Sequence, residues 1–353
     1  MSEEKPRIAV VLFNLGGPDA PDAVRPFLFN LFNDKAIISL PQPLRWFIAR
    51  IISARRAPIA REIYDHIGGS SPLLQLSEDQ AEALKIALSD DWDVEVFLSM
   101  RYWHPMSWQT AFAVKAFNPE HIIALPLYPQ FSTTTTGSSF TAWRKAAKKA
   151  KLTMPASYVC CYPTDEDFIT AHAQLIRPVN EAACKAATES LAPRILFSAH
   201  GLPEKIIAAG DPYQWQIERT TQAVIDALAI EDLDYVNCYQ SRVGPLEWIK
   251  PSTEDEIKRA GSEGVPLVVV PIAFVSEHSE TLVELDIEYR DLAEKHNVAH
   301  YMRVPALGVT EHYITSLANI CRKSYTQTGV QPAEAPPRYC ELNLSQCPCV
   351  TQN

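Results

Sequence analysis

Six short apolar runs, each closed by glycine, proline or a polar cluster, constrain this chain more than any other feature of its sequence. Residues 7–13, 94–100 and 121–127 form one set; residues 194–197, 235–239 and 266–272 form a second. Runs of this length without polar alternation fit strands buried on both faces, as in parallel sheets covered by helices. Helix-period segments lie between them, for example residues 77–88 and 140–151, and the alternation predicts an α/β fold. With 353 residues and 47% hydrophobic content, the chain has material for two cores. The prediction is two related, doubly wound units facing each other, each a mostly parallel sheet flanked by helices. The boundaries read as 1–165 for the first unit and 166–305 for the second. Residues 168–192 form a connecting helix, Glu311–Tyr325 within 306–330 a late helix packing back on the first unit, and 331–353 a cysteine-bearing tail.

Two segments stand outside the alternation. Residues 24–58 are crowded with apolar side chains interrupted by Arg45, Arg50, Arg55 and Arg56. Such a stretch serves either as extra core for the first unit or as an exposed lip that receives an apolar ligand or rests on a membrane surface. The other is the linker-like 331–337, which leads into the tail. A formal charge of −10 argues against a nucleic-acid surface, which would need clustered positive charge. No stretch reaches the roughly 18 to 20 apolar residues of a membrane span, and the start lacks the pattern of a signal peptide. A cytoplasmic location is expected, with peripheral membrane contact through residues 24–58. Its eight cysteines are then expected to be thiols or metal ligands rather than disulfides.

Chemistry-bearing residues gather at the ends of two predicted strands. Phe197-Ser198-Ala199-His200-Gly201 puts an imidazole at a strand end, and residues 270–280 lead an apolar run into Glu277, His278 and Glu280. Carboxyl ends of strands are where open α/β sheets bind ligands, so His200 and Glu280 are candidates to face one cleft. Alone, a histidine so placed is more often a satisfied structural residue. Glu280, Glu284 and Glu288 would share a face if the strand turned into helix, with Asp286 adding acidity. They are either a solvated face or a row compensated by metal or protons. Glutamate and histidine without thiolate suit transient Fe(II), Mg or Mn. Arg55, Arg56, Arg101 and Arg144 with Tyr64, Tyr102 and Tyr128 offer cations and phenols for carboxylates and a flat apolar ligand. Cys340, Cys347 and Cys349 fall within ten residues, a density that points to zinc or an iron–sulfur centre with a fourth ligand from elsewhere. Cys160 and Cys161 are the candidates, and only one of an extended adjacent pair can face the cluster.

With these residues in view, the chain resembles the ferrochelatases, which insert ferrous iron into protoporphyrin IX in the last step of haem synthesis. The resemblance rests on Asn14-Leu15-Gly16-Gly17-Pro18, on 67–72, on Arg101-Tyr102-Trp103-His104-Pro105 and on 128–132 with 136–139. It continues through Ser198-Ala199-His200-Gly201-Leu202-Pro203, 240–245 and 274–289. It implies two Rossmann-like (chelatase-type) domains with a porphyrin cleft between them, lined on one side by the lip. It further implies His200 and Glu280 as the catalytic pair, with Glu284 beside them as a ligand for the incoming Fe(II). Ser241, Phe274, Glu277 and His278 are implied around them, and Leu15, Arg56, Tyr64, Arg101, Tyr102 and Tyr128 on the opposite, porphyrin-binding wall. Many members have Asp where this chain has Glu277. Some members hold a 2Fe-2S cluster on a C-terminal cysteine group plus one internal cysteine. The animal form takes the internal ligand near the Tyr-Pro-Gln motif, where this chain has Thr133. Some bacterial members have a tail spaced like Cys340, Cys347 and Cys349, which fits Cys160 or Cys161 as the internal ligand.

Coproporphyrin III as substrate, or another divalent metal such as cobalt, is compatible with the same residues. A non-catalytic haem or metal carrier would need the cleft but not both His200 and Glu280. A nicotinamide oxidoreductase is disfavoured because no Gly-x-Gly-x-x-Gly follows the first strand. Oligomeric state is not legible from these features.

Overall fold

The computed structural model describes residues 5–187, 191–242, 244, 246–334 and 338–349. The first four residues, 188–190 of the expected connecting helix, Val243 and Pro245 of the 240–245 motif, and 335–337 and 350–353 of the tail lie outside the described residues.

The chain divides into two compact units. The first comprises Met1–Tyr162, Ile314–Tyr339 and Pro348–Asn353; the second comprises Pro163–Tyr313 and Cys340–Cys347. In order, the first unit carries β1 (Arg7–Asn14), α1 (Val24–Phe32), α2 (Leu44–Asp65), α3 (Leu73–Leu88), β2 (Asp93–Met100), α4 (Ser107–Phe117), β3 (His121–Pro126), α5 (Thr136–Ala150) and β4 (Ala156–Val159). The second carries α6 (Glu166–Ala186), β5 (Arg194–His200), α7 (Glu204–Ala208), α8 (Tyr213–Leu228), β6 (Tyr235–Gln240), α9 (Thr253–Glu263), β7 (Leu267–Pro271), a π-helix (Glu280–Glu288), α10 (Tyr289–Lys295) and β8 (Tyr301–Arg303). The helix α11 (Glu311–Tyr325) and strand β9 (Gly329–Gln331) follow.

Both sheets are parallel, ordered β2-β1-β3-β4-β9 and β6-β5-β7-β8. The first four strands of each follow the same sequence of crossovers, so each has a point where the chain reverses its direction of travel across the sheet. That point lies between β1 and β3 in one unit and between β5 and β7 in the other, and crevices at the carboxyl ends of such strand pairs are ready ligand sites. The six apolar runs are β1, β2, β3, β5, β6 and β7, of which β1, β3, β5 and β7 are the middle strands. Ile8 to Phe13 are wholly buried, as are Ile195 to Ser198 and Leu267 to Val270. Phe13 meets Phe140 and Trp143 of α5 edge-on, at 5.6 and 5.8 Å between ring centres, which fixes that helix over β1. In the second unit Leu196, Leu267 and Val269 pack with Ile257, Leu285 and Tyr289, so the π-helix is rooted in the core through Leu285.

Where element boundaries differ from expectation, helices begin earlier than their apolar periodicity suggests. The helix expected from residue 77 starts at Leu73, the one expected from 140 starts at Thr136, and the one expected over 168–192 is α6, Glu166–Ala186. At α6 the first turn is polar, carries no apolar periodicity and is fixed by a cap, Asp165 accepting from Phe168 N. Residues 24–58 form α1 and most of α2. Val24, Phe27, Leu28 and Ala57 are buried together, whereas Leu44, Phe47 and Ile51 are 50–56% exposed, so the segment supplies both core and exposed apolar surface. The strands β4, β8 and β9 were not expected; three or four residues are too few to show a pattern, and each is fixed by the neighbour it pairs with.

Candidate active site

β5 delivers His200 to the carboxyl edge of the second sheet, beside Gln240 at the end of β6. Gly201 makes the tight exit possible: its N–H donates to Gln240 O at 2.9 Å, and a Cβ there would lie 3.0 Å from that same oxygen. His200 Nδ1 lies 2.8 Å from Glu280 Oε2, on the first turn of the π-helix. Glu280 and Glu284 then converge on one hydroxyl, because Ser241 Oγ is 3.2 Å from Glu280 Oε2 and 2.5 Å from Glu284 Oε2. Ser241 adopts φ +63°, which turns its backbone N–H onto Glu284 Oε1 at 2.8 Å. Gln240 Nε2 donates to Glu284 Oε2 at 3.0 Å and to the Glu280 carbonyl at 3.1 Å. Its amide is oriented by Ser198, whose hydroxyl donates to Gln240 Oε1. Tyr289 OH completes the set on Glu284 Oε1 at 3.0 Å.

The three titrating groups are driven apart. Burial alone would raise the Glu280 carboxyl, but the His200 charge and hydrogen bond outweigh it and bring it down to about 2. Burial would lower the His200 imidazole, yet Glu280 and the more distant Glu284 raise it overall. Glu284 is raised, first by burial and then by the Glu280 charge, despite its donors. An ionised Glu280 accepts the Nδ1 proton of His200, which leaves the lone pair of the neutral ring on Nε2. The arrangement therefore offers a base at Nε2, an anion that stabilises the imidazolium, and a neighbouring carboxyl whose proton affinity is raised.

The other expected residues separate into two kinds. Phe274 and His278 meet at a tilt with 4.7 Å between ring centres, and His278 Nδ1 donates to Ser276 O, which again leaves Nε2 as the acceptor. Glu277, expected beside the porphyrin, has both oxygens on Arg303 and accepts from Ala306 N. Glu288, expected on the face of Glu280 and Glu284, is exposed, and Asp286 is bound to Arg303. Arg303 carried no signal in sequence, since the carboxylates it binds lie 17 and 26 residues away along the chain; Gln240 and Tyr289 fall inside the 240–245 and 274–289 motifs, but nothing there marks their bonds to Glu284.

In the first unit Arg101 follows β2, and its side chain donates to Asp34 Oδ2 at 2.8 Å and to Ser138 Oγ at 2.6 Å. Tyr102 is wholly buried and donates its hydroxyl to the same Asp34 oxygen at 2.7 Å; Ser138 donates there too. Burial would raise the Asp34 carboxyl, but Arg101 and these donors hold it low. Tyr102 thus stands behind the surface. Leu15 and Tyr64 pack with it against Val24, Phe27 and Leu28, while Arg56 is half-buried on α2. The Tyr128 hydroxyl is buried without a hydrogen-bond partner, and burial pushes its phenol up.

The tail thiols are buried. In the first unit Cys160 Sγ lies 3.1 Å from Cys349 Sγ and 3.5 Å from Cys161 Sγ, and burial raises the Cys160 thiol well above the usual range. In the second unit Gln216 Nε2 donates to Cys340 Sγ at 3.1 Å. Among the described residues no three His, Cys, Asp or Glu side chains already form a metal-holding group, and no helix is long and apolar enough to cross a membrane.

The ferrochelatase family model matches residues 7–325. A ferrochelatase of Caulobacter vibrioides is 51% identical over 346 residues, covering 97% of each chain. One of Pelagibacter ubique is 47% identical over 345 residues, 97% of this chain and 98% of its own. Among solved structures, the sirohydrochlorin chelatase SirB from Bacillus subtilis subspecies spizizenii in complex with cobalt matches with a TM-score of 0.50 at 13% identity, over 90% of this chain and 95% of that one, a likeness of fold. On the family match and these identities, the chain belongs to the ferrochelatase family.

Proposed function

We propose that this chain inserts ferrous iron into protoporphyrin IX to give protohaem, with release of two protons, as the last step of haem synthesis. The observation that carries the reading is the 2.8 Å contact of His200 Nδ1 with Glu280 at the end of β5. His200 Nε2 accepts a pyrrole proton, Glu280 balances the imidazolium, and Ser241 bridges to Glu284, which takes the proton onward. Glu280, Glu284 and His200 are also oxygen and nitrogen donors that bind Fe(II) loosely enough to release it. Phe274, His278 and Ser241, with Leu15, Arg56, Tyr64 and Tyr128 of the first unit, are assigned to porphyrin contact. Arg101 and Tyr102 are assigned to supporting that wall, because their polar atoms are engaged by Asp34. The test is anaerobic turnover of protoporphyrin IX with Fe(II), followed by loss of porphyrin fluorescence. His200→Ala should lose about 10²-fold or more, and turnover within a few-fold of wild type refutes the assignment. Parallel assays with coproporphyrin III, and with Co(II), decide between these substrates and the proposed pair.

The reading extends to a 2Fe-2S cluster held by Cys340, Cys347, Cys349 and Cys160. Soft thiolates suit such a cluster, and its amide donor suits Cys340 to a ligand role. Cys160 is favoured over Cys161 because its sulfur is the one beside Cys349. The cluster would supply one-electron redox chemistry. Iron and acid-labile sulfide lost from Cys160→Ser but kept in Cys161→Ser support this; their absence from the wild-type protein removes it. The exposed apolar side chains of α2 are the part of a cytoplasmic chain that would rest on a membrane.

A further inference from the structure

One guanidinium holds both ends of the segment that carries His278, Glu280 and Glu284. Arg303 ends β8, and its side chain is only 10% exposed. Nε donates to Asp286 Oδ1 at 2.7 Å and one terminal amine to Asp286 Oδ2 at 2.6 Å, a two-point fork. The other amine donates to Glu277 Oε1 and Oε2 at 2.8 and 3.1 Å and to Val304 O at 3.3 Å. Glu277 Oε1 also accepts from Ala306 N at 2.9 Å, so this carboxylate is committed to the fold. Glu277 lies just before the π-helix and Asp286 within it, on either side of Glu280 and Glu284.

The π-helix is therefore gripped from opposite edges of its sheet. Glu280 and Glu284 bond to Gln240 at the end of β6 and Ser241 just after it, while Asp286 bonds to Arg303 on β8, and β6 and β8 are the two edge strands. A π-helix is rarely stable as an isolated choice of backbone, so its register depends on such outside contacts. A slip toward α-helical register would carry Glu280 and Glu284 away from His200. Resting on the assignment of His200, Glu280 and Glu284 as the reactive groups, we propose that Arg303 is a positioning residue for iron insertion. By tying Glu277 to Asp286, it sets where Glu280 and Glu284 stand against His200.

The test compares Arg303→Met, Arg303→Lys and the triple variant R303M/E277Q/D286N. For each, kcat and KM for Fe(II), porphyrin affinity by fluorescence without iron, and the unfolding midpoint are measured. Arg303→Met should lose about 10²-fold in kcat, as misplacement of reacting groups by about 1 Å does, with porphyrin affinity unchanged. Lysine should recover only part of this, since a point charge cannot serve two carboxylates as a fork does. The triple variant removes the stranded charges and should regain the unfolding midpoint without regaining turnover. Turnover of Arg303→Met within about threefold of wild type, or a triple variant restored in both stability and turnover, overturns the proposal. His200→Ala with undiminished turnover would instead overturn the assignment on which it rests.

Discussion

Glu280→Gln tests the electrostatic core of the site with almost no change of shape. The amide keeps an oxygen to accept from His200 Nδ1 and loses the charge. At 2.8 Å the wild-type contact is a charge-assisted hydrogen bond, a class worth about 1.5–3 kcal/mol. If that stabilisation is realised when the ring takes its proton, turnover should fall about 10- to 10²-fold. The pH dependence should move in a definite direction. In the wild type Glu280 raises the imidazole against the effect of burial, so Nε2 becomes available as a base only above the ordinary histidine value near 6.5. Without the charge, burial is left to act, and the acid limb of kcat/KM should move to lower pH. Glu284 loses the charge that helps to raise it, so its carboxyl should titrate lower as well. The assay is anaerobic fluorescence loss with Fe(II) between roughly pH 5 and 9, spanning the histidine range. An acid limb that stays put or moves upward would refute the reasoning, as would turnover within about twofold of wild type.

Three further outcomes follow from the same structure. His172 is buried without a partner on Nε2, and burial lowers its imidazole to about 3. Below 6.5 the unfolded chain therefore binds a proton that the folded chain refuses. Stability should be intact above 6.5 and fall with pH by about 1.4 kcal/mol per unit, and denaturant unfolding at pH 7 and 5 should show a smaller loss for His172→Leu. Asp34→Asn strands Arg101 and should destabilise by about 3 kcal/mol, with D34N/R101M recovering much of it in thermal unfolding. Gly210 has φ +94°, and a Cβ there would lie 2.5 Å from Ser345 Oγ and 2.9 Å from Ser345 N. Gly210→Ala should therefore loosen the segment between Cys340 and Cys347 and speed thiol labelling of both cysteines; unchanged labelling rates would refute this.

The apolar runs by themselves determined the parallel α/β architecture, because a strand buried on both faces must be apolar along its whole length. They also put His200 at a strand end, since glycine marks where burial stops, whereas Glu280, expected at the end of the next apolar run, lies on the first turn of the π-helix, nine residues past β7. Contacts made across the fold had no such trace. Nothing near Glu277 announces that Arg303, 26 residues on, claims both of its oxygens, or that Asp34 takes the polar atoms of Arg101 and Tyr102 from across 67 and 68 positions. The π-helix was equally hidden, because its register is set by Gln240, Ser241, Leu285 and Arg303 around it rather than by propensity within it. Which carboxylates are chemical and which are structural was therefore decided by the partners that tertiary packing brings within 3 Å, and pairing at that range is what moves a proton affinity.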